Sequence, residues 1–200
     1  MDLRSPAIVC VTRPHGETAA IGRFLTPQHG LVAGYVAGAR GRNLRPVLIP
    51  GNRVEIDLHA RSEAQLPFAR VELVESRGPW LAEPLPSAAI GWVTSLTAAA
   101  LPERHAYPAL FEALGALLDA VCHAPSARGW VPGLIAYETL LLREMGYGGN
   151  NPPPPASDWL AALTALDALS EKIAAYALAE RHGDVMGARA VLRERLARIG

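Results

Sequence analysis

Lysine and cysteine are scarce in this chain, and long apolar runs are absent. Lys172 is the one lysine, so arginine carries nearly all of the positive charge. Cys10 and Cys122 lie far apart in sequence, which excludes a disulfide framework and a paired metal-ligand motif, and we predict that both are reduced core residues. The apolar stretch Ala7 to Val11 near the N-terminus is too short for a signal peptide or a membrane span. We therefore expect a cytoplasmic protein.

Signatures of catalysis and of metal binding are also missing. The chain has no G-x-S-x-G, no phosphate-binding G-x-x-x-x-G-K-[ST], no H-E-x-x-H and no C-x-x-C. No histidine stands three or four residues from another histidine or from a cysteine, the spacing that places two ligands on one helix face. Glu55 and Asp57 share one face of a predicted strand, which we interpret as a solvated face rather than an acid/base pair. We therefore expect no enzyme, no cofactor and no metal.

The first part of the chain has the period of β-strands. Five stretches have a strand-like pattern, namely "AIVCV", "AAIGRFLT", "LVAGYVAGA", "RVEIDLH" and "FARVELVE", and apolar residues alternate with charged ones in the last two. Turn-forming stretches separate them, namely "RPHGE", "TPQHG", "GRNLRP" and "IPGN". About five short strands between residues 7 and 75 predict a small antiparallel barrel or sandwich.

The period becomes helical after "RGPWLAEPLPS". Ser87 is a candidate N-cap for the first helix, and Pro108 and Pro132 stand where prolines favour a first turn. The sequence therefore predicts an α+β protein, with a β domain over residues 1–80 and an α-helical domain over residues 81–200. A stiff proline-rich spacer is predicted near residues 152–155.

Charge divides along the same line. Residues 1–80 hold ten arginines and seven acids, whereas residues 81–200 hold nine basic residues and twelve acids, so the net charges of +3 and −3 cancel to the formal zero of the chain. The basic excess is concentrated between Glu17 and Glu55, where there is no acid and where five arginines occur: Arg23, Arg40, Arg42, Arg45 and Arg53. Such a segment is suited to meet negative charge.

Two aromatic residues, Phe24 and Tyr35, share the predicted β domain with these arginines. A basic groove with aromatic stacking platforms suits single-stranded nucleic acid, because phosphates carry charge and every base has a π-face. The alternative is that the arginines only solvate a surface and that the two rings belong to the core. We predict that the five arginines and both aromatic residues contact nucleic acid.

Two longer segments of the chain form a recognisable pattern. They are "GETAAIGRFLTPQHGLVAGYVAGAR", followed by "LIPGN" and a second alternating strand, and the helical segment "AYETLLLREMGYG" at residues 136–148. In order and wording they resemble the RecO family of bacterial recombination mediators. Family positions in the first half are matched by Glu17, Thr26, Gly30, Gly38, Ala39 and Arg40. The resemblance implies that the β domain is an OB-fold barrel.

The same resemblance implies a function. Members of the family bind single- and double-stranded DNA, anneal complementary strands, dock on the acidic C-terminal tail of single-stranded-DNA-binding protein, and work with RecR to load RecA. It thus implies a protein of DNA repair that is associated with the nucleoid when on DNA. Arg128 and Arg143 lie beside the apolar runs "WVPGLIAY" and "LLL", and we predict that they line the tail-binding groove.

One departure from the family pattern concerns zinc. Many relatives carry a zinc-binding cysteine cluster after the Gly-Tyr element, whereas this chain reads "GYGGNNPPPPASDW" and has no cysteine after Cys122. The zinc module is therefore predicted to be missing. Two alternatives to the mediator remain at this point: a general single-stranded RNA or DNA binder, and an enzyme with an unrecognised active site in the helical domain.

Overall fold

The first part of the chain forms five β-strands. The computed structural model describes residues 2–62, 65–148, 158–179 and 185–199. The strands are β1 Asp2–His15, β2 Ala19–Thr26, β3 Gly30–Val36, β4 Arg53–His59 and β5 Phe68–Glu75. They close into a barrel in the order β1-β2-β3-β5-β4, antiparallel except where β3 meets β5. The predicted five-stranded OB-type barrel is confirmed, whereas the predicted spacer near residues 152–155 lies outside the described residues.

Alternation along the strands places one set of apolar side chains inside the barrel. Val9, Phe24, Val32 and Ile56 form part of this interior and are fully or almost fully buried. Gly22 makes room for the ring of Phe24, because a Cβ atom at Gly22 would overlap that ring. The barrel interior is therefore packed by side chains, as expected for a small barrel.

Helices form the second half of the chain. They are α1 Pro84–Ala100, α2 Pro108–His123, α3 Val131–Glu144, α4 Trp159–Lys172 and α5 Val185–Ala197, and a π-helical turn, Ile173–Ala177, follows α4. Pro108 and Pro132 lie in first turns, as predicted. The prediction that Ser87 caps α1 is wrong, because Pro84 occupies the first position and Glu83 is the N-cap. None of the helices in the described ranges combines the length and the apolar character needed to cross a membrane.

One end of the barrel is buried against the helices. Ile8, Leu25 and Leu31 point out of the barrel and belong to the same hydrophobic core as residues of α1 and α2. Arg104 donates its backbone N–H to the carbonyl oxygen of Leu31 at 2.9 Å, which extends the contact to the backbone. The opposite end of the barrel, with the β1–β2 turn, carries exposed residues from His15 to Thr18.

Two residues of the β2–β3 turn explain positions that the family resemblance singled out. Thr26 accepts the backbone N–H of His29 at 3.1 Å and donates to the carbonyl oxygen of Gly30 at 2.9 Å, so its hydroxyl closes the turn. Gly30 has a φ of +64°, and a Cβ atom there would overlap the backbone carbonyl of His105. Glycine is therefore required both for its left-handed backbone and for close approach of the helical half.

Candidate nucleic-acid interface

Three of the predicted arginines lie on the segment between β3 and β4. Arg40, Arg42 and Arg45 are exposed, and none of them forms an ion pair with any other residue that the structure describes. Arg40 donates from Nη1 to the carbonyl oxygen of Glu17 at 3.1 Å, and its backbone N–H donates to Thr18. This contact ties the segment to the β1–β2 turn at the open end of the barrel and leaves three cations facing solvent.

The segment that carries these arginines is anchored by its other residues. Leu44 and Val47 pack against the barrel interior. The side-chain amide of the fully buried Asn52 donates to the carbonyl oxygens of Pro46 and Val47 at 2.9 and 3.0 Å. Because the backbone of the loop is fixed, only the side chains of the arginines need to become ordered when they meet an anion.

A surface depression of about 400 Å³ opens beside two of these arginines. Arg40 and Arg45 line it together with Thr12, Pro14, Ala20, Ala39 and Leu48. Thr12 and Pro14 belong to β1 and Ala20 belongs to β2, so the depression lies between these strands and the loop, and the two cations line a concave surface. A concave surface lined by one sign of charge focuses its field on a ligand of opposite charge.

The other two arginines of the basic segment bind the helical half instead. Arg23 donates from Nη1 to the carbonyl oxygen of Ala98 at 2.7 Å and forms an ion pair with Glu103 at 3.1 Å. Arg53 forms ion pairs with Glu75 at 3.6 Å and with Asp119 at 3.3 Å. The structure therefore does not bring the five arginines into one groove, and these two guanidinium groups hold the barrel on the helices.

A further arginine completes this junction. The side chain of Arg77 is 0% exposed, and it donates to both carboxylate oxygens of Glu75, at 2.9 and 3.0 Å, and to Asp119. Its backbone N–H donates to Oδ1 of Asn52 at 2.7 Å. Two acids from β5 and α2 thus neutralise the guanidinium groups of Arg53 and Arg77.

The two predicted aromatic residues have opposite environments. Phe24 is fully buried inside the barrel and has no face that could stack on a base. Tyr35 is half-buried on the outer surface of β3. Its ring lies between those of His15 and Phe68, with centroid distances of 5.9 and 5.1 Å and edge-to-face geometry in both pairs.

His15 and Phe68 are not among the site residues predicted from the sequence. Phe68 is 64% exposed at the start of β5, which is unusual for a large apolar ring. Alternation in "FARVELVE" places Ala69 and Val71 inside the barrel and therefore Phe68 outside, so a signal for its exposure was present. Its proximity to Tyr35 depends on the closure of β3 against β5, which the sequence pattern does not reveal.

The rings of His15, Tyr35 and Phe68 form a row, here called the ring row, and acids lie next to its Phe68 end. His59 is the cross-strand neighbour of Phe68, and its ring contacts Asp2 at 2.6 Å and Asp57 at 3.4 Å. Glu55 and Glu72 are cross-strand neighbours on the same outer surface of β4 and β5. Arg4 and Arg70 are the cross-strand neighbours of Asp57 on this surface. The outer barrel surface is therefore basic near the β1–β2 turn and mixed in charge across β4.

The helical half carries an apolar groove between α3 and α4. The groove has a volume of about 640 Å³ and is lined by Ile135, Asp158, Leu160, Ala161, Thr164, Ala165, Ala168, Leu169 and Lys172. Leu160 is 74% exposed, and Lys172 supplies a cation at the far end of α4. The two predicted arginines are not part of the lining, because Arg128 stacks over Trp159 at 5.0 Å and Arg143 contacts Glu144 at 3.5 Å.

Both cysteines are free and buried, as predicted. Burial raises the pKa of the Cys10 thiol to about 12, and burial also raises the pKa of Cys122. Both thiols are therefore protonated at neutral pH and are poor nucleophiles and ligands. In the described part of the chain, no three His, Cys, Asp or Glu residues are grouped to hold a metal ion.

Comparison with known proteins gives consistent matches. The family model described as recombination protein O, N-terminal, matches residues 1–77, and the model described as recombination protein O, C-terminal, matches residues 83–150. The DNA repair protein RecO of Rhodospirillum centenum is 43% identical over 149 residues, which are 74% of this chain and 58% of that protein. The proteins of the same name from Caulobacter vibrioides and Ruegeria sp. are 40% and 38% identical over 149 residues, 74% of this chain and 60% and 61% of theirs. The chain spans about three fifths of the length of these relatives.

Proposed function

Since the chain belongs to the RecO family, we propose that it is a DNA-binding protein of recombinational repair and that it has no catalytic activity of its own. In this proposal, the barrel, residues 1–80, binds DNA, and the helical part, residues 81–200, binds protein partners. The observation that carries the proposal is the exposed set Arg40, Arg42 and Arg45 on an anchored loop without intramolecular ion pairs among the described residues.

The loop arginines act on the phosphate backbone. Arginine is always charged and binds phosphate oxygens through a planar fork of donors, so it neutralises backbone charge at any physiological pH. Two complementary strands repel each other through their phosphates. A protein that neutralises phosphates on each strand lowers this repulsion, which favours the annealing that we propose.

The groove between α3 and α4 is the proposed dock for the acidic tail of single-stranded-DNA-binding protein. Leu160 and the alanines of α4 offer an apolar surface for the end of such a tail, and Lys172 offers a cation for its carboxylates. Because the groove lies on the helices and the loop arginines lie on the barrel, the protein holds tail and DNA together. We further propose cooperation with RecR in loading RecA, in the cytoplasm and on the nucleoid.

A salt titration of DNA binding tests the proposal. The affinity for a single-stranded oligonucleotide is measured by fluorescence anisotropy across a range of salt concentrations, for the unmodified protein and for the triple variant with Arg40, Arg42 and Arg45 changed to Ala. Each lost phosphate contact lowers the slope of log K against log salt by about 0.7, so the triple variant has a slope flatter by about two. A variant with Arg143→Ala and Arg198→Ala is the matched control and keeps the slope. A folded triple variant with an unchanged slope would place DNA binding elsewhere.

The same protein preparation separates the mediator from a general nucleic-acid binder. A mediator binds the tail peptide of single-stranded-DNA-binding protein and DNA at the same time, whereas a general binder shows no affinity for the peptide. An assay for turnover of the oligonucleotide addresses the remaining alternative, an enzyme.

A further inference from the structure

A row of three rings crosses the open surface of the barrel beside the basic loop. We propose that His15, Tyr35 and Phe68 form a base-stacking platform, and that this platform makes the barrel bind unpaired strands in preference to duplex. The inference rests on the proposed DNA binding, but it assigns the selectivity to rings instead of arginines. It concerns single-stranded nucleic acid, whose bases are free to leave their neighbours.

The row is built by strand pairing. Ile21 is the cross-strand partner of Arg13 on β1 and of Tyr35 on β3, and Tyr35 is the partner of Phe68 on β5. Directly paired residues point to the same face of a sheet, so Arg13 and the rings of Tyr35 and Phe68 share the outer surface. His15 lies two residues after Arg13 and therefore points to that surface as well.

The rings are held in place before any ligand arrives. Tyr35 makes an edge-to-face contact on each side, with His15 at 5.9 Å and with Phe68 at 5.1 Å between ring centroids. Such pairs are favourable in themselves, so each ring loses little freedom when a base packs on it. Phe68 is 64% exposed, so much of its apolar ring contacts water. A base that packs on the ring removes this unfavourable contact.

Charge around the row sets where the phosphates lie. On the side of the β1–β2 turn, Arg13 is exposed and Arg40 binds the carbonyl oxygen of Glu17, two residues beyond His15. On the β4 side, Asp2 and Asp57 flank His59. Arg4 and Arg70 pair with Asp57, so the charges across β4 are mixed. A strand whose bases stack on the row therefore places its phosphates toward Arg13 and Arg40, which lie on the side without such pairing among the residues described.

Duplex DNA cannot use the platform. Its base faces are covered by neighbouring base pairs, so a duplex offers only phosphates and groove edges to this surface. Stacking of a base on an aromatic side chain is tolerant of sequence, since every base has a π-face. The platform therefore adds affinity for single strands of any sequence and adds none for duplex.

The test uses the full chain and three fluorescent probes at one salt concentration: a thymidine oligonucleotide, an abasic oligonucleotide of the same length, and a duplex. The thymidine and abasic probes carry the same phosphates and differ only in their bases. We expect the unmodified protein to bind the thymidine probe about tenfold or more tightly than the abasic probe, from the stacking of at least one base. Phe68→Ala and Tyr35→Ala each reduce this ratio and leave abasic and duplex binding unchanged.

Two control variants and two milder variants complete the design. Val74→Ala removes an exposed apolar side chain from the same strand as Phe68, and Tyr176→Ala removes a half-exposed ring from the helical part, and both keep the ratio. Phe68→Leu retains an apolar side chain without a π-face, and His15→Ala truncates an exposed side chain. These two keep the test decisive if Tyr35→Ala fails to fold.

The outcomes separate this inference from the proposed function. Equal binding of the thymidine and abasic probes by the unmodified protein would overturn the platform and leave phosphate binding in place. A ratio that Phe68→Leu and His15→Ala leave intact would also overturn it. Failure to bind any of the three probes would instead refute the proposed DNA binding.

Discussion

Arg189 of α5 donates a hydrogen bond from Nη2 to Oε2 of Glu138 in α3, at 2.7 Å, with both side chains buried. The other carboxylate oxygen of Glu138 accepts the indole N–H of Trp92 in α1 at 2.7 Å. Arg189 also donates to the carbonyl oxygen of Leu166 in α4. A single buried ion pair thus connects four helices, and Glu138 belongs to the "AYETLLL" segment that resembles the family pattern.

Loss of this arginine should strongly destabilise the protein. Arg189→Met leaves the carboxylate of Glu138 buried with one hydrogen bond and no counter-charge, and we expect a loss of about 3–5 kcal/mol in the free energy of unfolding. Urea denaturation followed by circular dichroism measures it. Arg198→Ala, which breaks an exposed pair with Glu194, is the control and changes stability by about 0.5 kcal/mol or less. A loss of the same small size for Arg189→Met would show that water reaches Glu138.

Two carboxylates on these helices should give stability profiles of opposite sign against pH. Burial raises the pKa of Glu138 above its ordinary 4.5, although Arg189 opposes the rise, so the native state holds this proton longer than the unfolded state. Its contribution to stability is therefore present below about pH 4.5 and is lost as the pH rises through its native pKa. The pKa of Asp167 is lowered from 3.8, mainly by its hydrogen bonds from Arg193, so its contribution is present above that value and is lost as the pH falls.

Glu138→Gln and Asp167→Asn test this contrast. The stability difference between the unmodified protein and each variant is measured by urea denaturation at several pH values. As the pH rises, the free energy of unfolding of the unmodified protein should decrease relative to that of Glu138→Gln. Relative to that of Asp167→Asn, it should increase. Parallel profiles would contradict the assignment of a raised pKa to Glu138.

Arginines of the basic segment should separate into two classes by experiment. Arg23→Ala removes the charged hydrogen bond to Ala98 at the end of α1, and we expect a loss of about 1.5–3 kcal/mol in unfolding free energy with an unchanged salt slope for DNA binding. Arg42→Ala should do the reverse, with stability within about 0.5 kcal/mol and a slope lower by about 0.7. If a folded Arg23→Ala protein had a reduced salt slope, the guanidinium of Arg23 would contact DNA in the complex instead of Glu103.

The groove between α3 and α4 should bind an acidic peptide with an apolar end. Leu160→Glu places a negative charge on the apolar surface, and Lys172→Glu reverses the cation, so each should weaken binding of a labelled tail peptide by about tenfold, or about 1.4 kcal/mol. Val191→Glu, at an exposed apolar position on α5 outside the groove, is the matched control. Equal binding by all three variants would move the dock away from this groove.

Zinc should be absent from the purified protein. The chain has no cysteine after Cys122, and both of its thiols are buried and protonated. We expect elemental analysis to find no stoichiometric zinc, and chelators to leave the unfolding temperature unchanged, since a structural metal site would lose its folding energy on chelation. One zinc per chain would require a site built from histidine and carboxylate ligands.

Much of the fold follows from local sequence pattern. The strands Arg53–His59 and Phe68–Glu75 have the predicted bounds, because charged and apolar residues alternate along the whole of the first strand and from Ala69 to Leu73 in the second. Prolines 108 and 132 mark helix starts, because proline fits the first helical turn. Helix α1 begins earlier than Ser87 predicts, because Pro84 fits the first helical turn three residues before it.

The candidate site was harder to predict, because it depends on contacts between distant residues. Arginine density identified the loop, but the pairing of Arg23 with Glu103 and of Arg53 with Asp119 arises only when the barrel meets the helices. Phe24 and Tyr35 both lie on predicted strands, yet one faces inward and the other outward. The ring row joins residues from three strands, so no local pattern contains it.

The shared core between barrel and helices has a thermodynamic consequence. Ile8, Leu25 and Leu31 lose their apolar environment if the helices detach, so the two parts should unfold in one cooperative step. A ligand that binds only the native barrel then protects the helices from unfolding by the same free energy. DNA held at one end of the molecule would slow hydrogen exchange in α1 and α2, although it touches neither helix.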